Sequence, residues 1–143
     1  MKQVQAKLST AKSPQEVYDY LVDFERHPEW RFDVLDSKLV EGEAGRAGAR
    51  YWQRVKQGRR ELEVDVELTE AEPPRRVGLR TLHEGPVTAS GTYNISAAAS
   101  GSEVINDVVI ETRGVLRLFE PLMGPQLRKT AARYEQALRE RLA

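Results

Sequence analysis

The chain divides where its hydrophobic period changes. Residues 2–10 set Val4, Ala6 and Leu8 between polar neighbours, the period-two pattern of a half-buried strand. A helix follows: Ser13 is a good N-cap, Pro14 suits the first helical position, and Glu16 completes an S-x-x-E capping box. Val17, Leu21 and Phe24 then recur at i, i+4 and i+7, and Tyr18 and Val22 widen that apolar face. Pro28 disfavours helix at His27, so His27-Pro28-Glu29-Trp30 closes the region, with a second short helical turn around Glu25–Trp30.

From about residue 33 to 113 the period returns to two. Gly- or Pro-bearing turns punctuate it at Glu41–Gly48, Gln57–Arg59, Glu72–Arg75, Glu84–Pro86 and Ala98–Ser102. Residues 61–68 alternate without a fault, Glu61, Glu63, Asp65 and Glu67 forming a wet face opposite Leu62, Val64, Val66 and Leu68. Val77, Leu79 and Thr81 share one face of the next strand. Val87, Ala89, Gly91, Tyr93 and Ile95 share a face after it, and Val104, Asn106, Val108 and Ile110 in the last. Short turns make such strands antiparallel neighbours, so residues 33–113 read as a six-strand meander.

Helical spacing resumes with Val115, Leu118, Leu122, Leu127, Ala131, Tyr134, Leu138 and Leu142, with one slip at Gly124-Pro125. A proline inside a helix removes a hydrogen bond, at about 3 kcal/mol, so a kink or break is expected near Pro121–Pro125 and a regular helix from about Gln126 to Arg141. The fold class is α+β: a seven-stranded curved antiparallel sheet on a long C-terminal helix, with two short helices after the first strand. That helix is the only long amphipathic element able to cover the sheet's apolar face. Thr81, Ala89 and Gly91 are small residues on that face and leave room for an apolar cavity.

Composition narrows the function classes. The 143 residues suit one domain, 1–143, and 40% hydrophobic with 31% charged residues is ordinary for a globular chain. The 22 basic and 22 acidic residues balance, which argues against nucleic acid as a partner; Arg59-Arg60 and Arg75-Arg76 fall at turns. With no cysteine there is no disulfide, zinc–thiolate site, iron–sulfur cluster or thiol nucleophile. No apolar run suits a signal peptide or an integral membrane segment, and the expected location is cytoplasmic.

In this order the chain resembles the START-type, helix-grip proteins of the SRPBCC superfamily, and within them the polyketide cyclase/dehydrase branch. Ser13-Pro14-Gln15-Glu16-Val17-Tyr18 opens the first helix and His27-Pro28-Glu29-Trp30 closes the second. Glu70–Val77 marks a strand junction, Gly91-Thr92-Tyr93 and Gly101-Ser102-Glu103-Val104 the last hairpin, and Arg113-Gly114 the entry to the final helix. The resemblance implies a helix-grip fold enclosing a hydrophobic ligand. Its members include lipid carriers, cyclases and hormone receptors.

Candidate chemistry is sparse. His27 is expected to cap a helix end or face water, and His83 to lie at an exposed turn, although its parity matches Val77, Leu79 and Thr81. Neither has a carboxylate at helical spacing, so no metal motif or triad emerges. Asn106 falls on the inward face, where a buried amide needs partners, and Tyr93 of the neighbouring strand could bring its hydroxyl near. Such a pair could polarise a carbonyl, but no general base accompanies it. Trp30, Tyr51, Phe119, Leu122, Met123 and Tyr134 form the other apolar set, with Trp30 and Phe119–Met123 the expected walls near the cavity mouth. Trp52 has the opposite parity to Tyr51 and reads as an exposed aromatic, a bulge or a misplaced strand.

The ligand-binding set is therefore Trp30, Tyr51, His83, Tyr93, Asn106, Val108, Phe119, Leu122 and Met123. The leading expectation is a carrier or sensor of a lipid, polyketide or related metabolite, needing no cofactor and existing as a monomer or weak homodimer. A polyketide aromatase/cyclase or dehydratase, and a protein-contact module without ligand, are the alternatives.

Overall fold

The computed structural model describes residues 2–82, 87–112, 114 and 120–143. Strand β1 (Lys2–Thr10) leads into α1 (Pro14–Leu21), a 3-10 turn (Phe24–Arg26) and α2 (His27–Trp30). Strands β2 (Val34–Glu41), β3 (Arg50–Gln57), β4 (Arg60–Glu72), β5 (Arg76–Thr81), β6 (Val87–Ala98) and β7 (Gly101–Thr112) follow, then α3 (Glu120–Arg141).

The seven strands form one antiparallel sheet in the order β1-β7-β6-β5-β4-β3-β2. β2 to β7 are therefore a meander, as their alternation predicts, and β1 closes on β7 across the length of the chain, Val4 opposite Val108 and Leu8 opposite Val104. α1 begins as its capping residues require. The Ser13 hydroxyl accepts the Glu16 amide (3.2 Å), and the Glu16 carboxylate accepts the Ser13 amide (3.3 Å). These bonds hold the Glu16 carboxyl below the usual carboxylate range.

One face of the sheet carries the core. Tyr51, Val66, Leu68, Val77, Leu79, Tyr93, Ile95 and Val104 are buried there against Val17, Tyr18, Leu21 and Phe24, and against Leu138 of α3 and Leu142 just after it. The opposite face is an ionic lattice in which Arg54 meets Glu61 at 3.6 Å and Arg80 meets Glu67 at 2.7 Å. Trp52 belongs to that outer face, its indole N–H donating to Glu63 (3.0 Å). Its parity marks a half-buried aromatic on the outer face of a correctly placed strand.

Two expectations need correction. The helix is unbroken from Glu120 to Arg141 with Pro125 inside it, so the proline does not end the helix. Pro121 lies in the first turn, where a missing N–H leaves no hydrogen bond unmade, and packing on β1 and α2 holds the remainder. His27 caps the 3-10 turn, its amide donating to the Phe24 carbonyl, but it does not face water: it is wholly buried. Its ring stacks on Phe24 at 4.5 Å and meets the Trp30 ring edge-on at 5.5 Å.

Candidate functional site

The curl of the sheet and the seat of α3 meet at one row of inward residues. Ala6 of β1 lies opposite Asn106 of β7, and Asn106 opposite Tyr93 of β6. Over this row α3 lays Ala131, Tyr134 and Leu138, and α2 contributes Trp30. The apolar cavity between them, partly open to solvent, has a volume of about 20 Å³, room for one water molecule. Trp30 is its centrepiece, meeting Tyr93 edge-on at 6.0 Å and Tyr134 at 6.1 Å.

Polar groups around the cavity are incompletely paired. The Asn106 carbonyl oxygen and the Trp30 indole nitrogen are both buried without a hydrogen-bond partner. Leaving such a group unmatched costs roughly 1–3 kcal/mol. Tyr134 is satisfied, donating its hydroxyl to Asp33 (2.5 Å). Burial raises the Tyr93 hydroxyl above the ordinary phenol value, with Arg31 working in the opposite direction. Burial likewise raises Tyr134, Arg31 again opposing and Asp33 adding to the rise. Both phenols are therefore hydrogen-bond donors at neutral pH and not bases. The one carboxylate on the cavity wall, Glu135, is ion-paired with Arg139 at 2.8 Å.

Behind this wall lies a second buried polar set. Gln53 donates to His27 Nδ1 (2.7 Å) and to the Ser37 hydroxyl (3.1 Å), and His27 Nε2 has no partner. With Nδ1 accepting, the imidazole proton sits on Nε2. Burial, and after it the charge of Arg31, holds the His27 pKa well below 6.5. A broader, open depression of about 360 Å³ lies beside Trp52 between Glu63 and Asp65, but its indole N–H is already committed to Glu63.

Of the residues expected at the site, Trp30, Tyr93 and Asn106 come together on this wall. Tyr51 lies elsewhere, fully buried against Phe24 at 5.1 Å. Val108 is half-buried further along the inward face of β7. His83 and Phe119 lie outside the described residues; Leu122 and Met123 belong to the first turn of α3, their side chains likewise undescribed. Glu135 and Leu138 line the cavity, and Arg31 and Asp33 stand behind it against Tyr134; sequence reasoning singles out none of the four for the site. An arginine between Trp30 and Phe32, immediately after a helix, is the available signal for Arg31 and Asp33.

A curled antiparallel sheet gripping one long C-terminal helix, with two short helices after the first strand, defines the START-like, helix-grip fold. The chain belongs to the family described as polyketide cyclase / dehydrase and lipid transport, whose model matches residues 1–143. Among solved structures it is similar to TTHA0849 from Thermus thermophilus, at 19% identity and a TM-score of 0.79 over 99% of this chain and 97% of that one. It is similar to a START superfamily protein from Mycobacterium smegmatis at 13% identity and a TM-score of 0.75, covering 99% of each chain. The di-domain ARO/CYC protein BexL from the BE-7585A biosynthetic pathway matches 98% of this chain with 46% of its own, at 15% identity and a TM-score of 0.78. These likenesses concern the fold. No curated protein matches the sequence. No helix among the described residues is long and apolar enough to cross a membrane.

Proposed function

We propose that this chain binds an apolar small molecule between the sheet and α3 and acts as a carrier or sensor of it. The observation that carries the reading is the pair of unmatched polar atoms, on Asn106 and Trp30, at an otherwise apolar cavity. A ligand hydroxyl, donating to the Asn106 oxygen and accepting from the Trp30 N–H, would satisfy both and recover the cost of burying them. A carrier role is supported over catalysis because both tyrosines on the wall stay protonated and its carboxylate is already paired. The family description covers lipid transport as well as cyclisation and dehydration.

Admitting a ligand requires α3 to lift, since the cavity as it stands holds about one water. The burial along the helix suits that motion: Ala131 and Tyr134 over the cavity are only half-buried, as are Leu127 and Thr130 before them, whereas Leu138 and Leu142 are buried. The test is an NMR titration with 1-decanol and with 2-naphthol. Amide shifts are expected at Ala6, Tyr93, Asn106 and Ala131. Shifts absent from these residues, or confined to the outer face at Trp52, overturn the reading.

The cross-strand pairing of Tyr93 with Asn106 supports a second reading, an aromatase/cyclase in which a phenol and an amide orient a carbonyl. Turnover of an aromatic polyketide precursor that Tyr93→Phe abolishes, while binding persists, would establish it over the carrier role.

A further inference from the structure

Arg31 comes directly after the last residue of α2, its amide donating to the His27 carbonyl at 2.7 Å. Its guanidinium carbon lies 5.4 Å from the centroid of the Trp30 ring and 4.9 Å from that of Tyr134, two rings that line the cavity. Its Nε is shut off from solvent and has no acceptor. The ion pairs among the described residues join other arginines, Arg26, Arg76, Arg80 and Arg139 included, to their carboxylates and leave Arg31 out. Asp33, two residues on, accepts instead from Tyr134.

Arginine keeps its charge under all ordinary conditions, and a half-buried guanidinium in no ion pair gives up hydration that nothing here fully replaces. The two ring faces offset part of that cost. Burial works against the charge, but Tyr93, Tyr134 and Asp33 outweigh it and hold the guanidinium more firmly protonated than usual. What the arrangement lacks is an acceptor for Nε. A guanidinium edge offers two parallel N–H donors, the geometry that a carboxylate fills.

Building on the proposed cavity function, we infer that Arg31 anchors the carboxylate of an apolar acid whose hydrocarbon part occupies the space between α3 and the sheet. The ligand class is thereby narrowed from apolar molecules in general to those carrying an anionic end. The competing role for Arg31 is a staple between α2 and α3 through the two rings, and removing the guanidinium distinguishes the two roles.

The protein has two tryptophans, so Trp52→Phe leaves Trp30 as the sole indole and a reporter on the cavity wall. In that background, Trp30 emission is titrated with decanoate and with 1-decanol at about pH 7.5, where the acid is ionised. Decanoate is expected to bind about tenfold or more tightly than the alcohol, the scale of a hydrogen-bonded charge pair. Adding Arg31→Met should abolish that preference and leave the affinity for 1-decanol within about twofold, while Arg31→Lys should retain part of it. Thermal melts establish that each variant is folded, and the comparison of the two ligands on the Arg31 protein needs no folded variant. Equal or weaker binding of decanoate, or a preference that survives Arg31→Met, overturns the inference and leaves the cavity reading standing. An Arg31→Met variant that loses both ligands together shows the staple role and overturns it as well. If neither ligand perturbs Trp30, the cavity reading fails and the anion site with it.

Discussion

His27 links the core of this protein to pH. Its imidazole is wholly buried, with Nδ1 occupied as an acceptor by Gln53 and Nε2 facing no acceptor. Burial, and after it the charge of Arg31, holds its pKa well below 6.5 in the folded protein. Unfolded, the same residue titrates near 6.5. Because the folded value is the depressed one, the stability it confers is complete above about pH 6.5. It is lost as pH falls through that value toward the folded pKa, where the loss levels off. Within that window the unfolding constant gains at most about tenfold per pH unit, about 1.4 kcal/mol for each unit by which the folded pKa lies below the unfolded one. Urea denaturation between about pH 8 and pH 5, on the natural chain and on His27→Gln, measures it. Glutamine keeps an acceptor for Gln53 without titrating, and the difference between the two curves cancels His83 and the surface carboxylates. That difference should narrow as pH falls, the variant losing less stability than the parent. Parallel curves would refute the buried neutral imidazole.

Three further outcomes rest on single positions. Gly101→Ala should destabilise the fold by at least about 2 kcal/mol in urea denaturation, since Gly101 sits at φ +149° and a Cβ there would run into the Thr10 carbonyl and the Ala11 backbone. Leu138→Ala should cost about 2–4 kcal/mol while enlarging the cavity, so tighter binding of 1-decanol should accompany a lower melting temperature. Trp52→Phe should shift the average emission to the blue, because the indole that remains, Trp30, is 2% exposed; an unchanged spectrum would place Trp30 in water.

The strands are legible in the sequence because each has one wet and one dry face, and the alternation from Glu61 to Leu68 reports that directly. The capping box at Ser13 is legible for a similar reason, its partners being three residues apart. His27 is not: its burial depends on Gln53 and Ser37, which arrive from β3 and β2, and no local pattern announces them. The helix through Pro125 escapes a local reading because propensity opposes it and contacts with β1 and α2 outweigh that propensity. The same limit applies to the site. Strand parity brings Tyr93 and Asn106 to one face, but Arg31 and Asp33 meet Tyr134 only once α3 is laid down, and the volume left between them depends on side-chain packing.

The pairing of β1 with β7 also sets the order in which the molecule can be completed. Lys2 pairs with Ile110 and Thr10 with Ser102, and the Thr10 hydroxyl donates to the Leu142 carbonyl at the far end of α3. The turns from β2 to β5 are short-range and can close early, whereas β1 must hold its alternating apolar face unpaired until the last strand has formed. Closing so long a loop carries an entropic cost that local hairpins escape, and contacts of that range slow folding. The first strand made is thus among the last to be secured. During synthesis on the ribosome, Val4, Ala6 and Leu8 are the apolar side chains that wait longest for their partners.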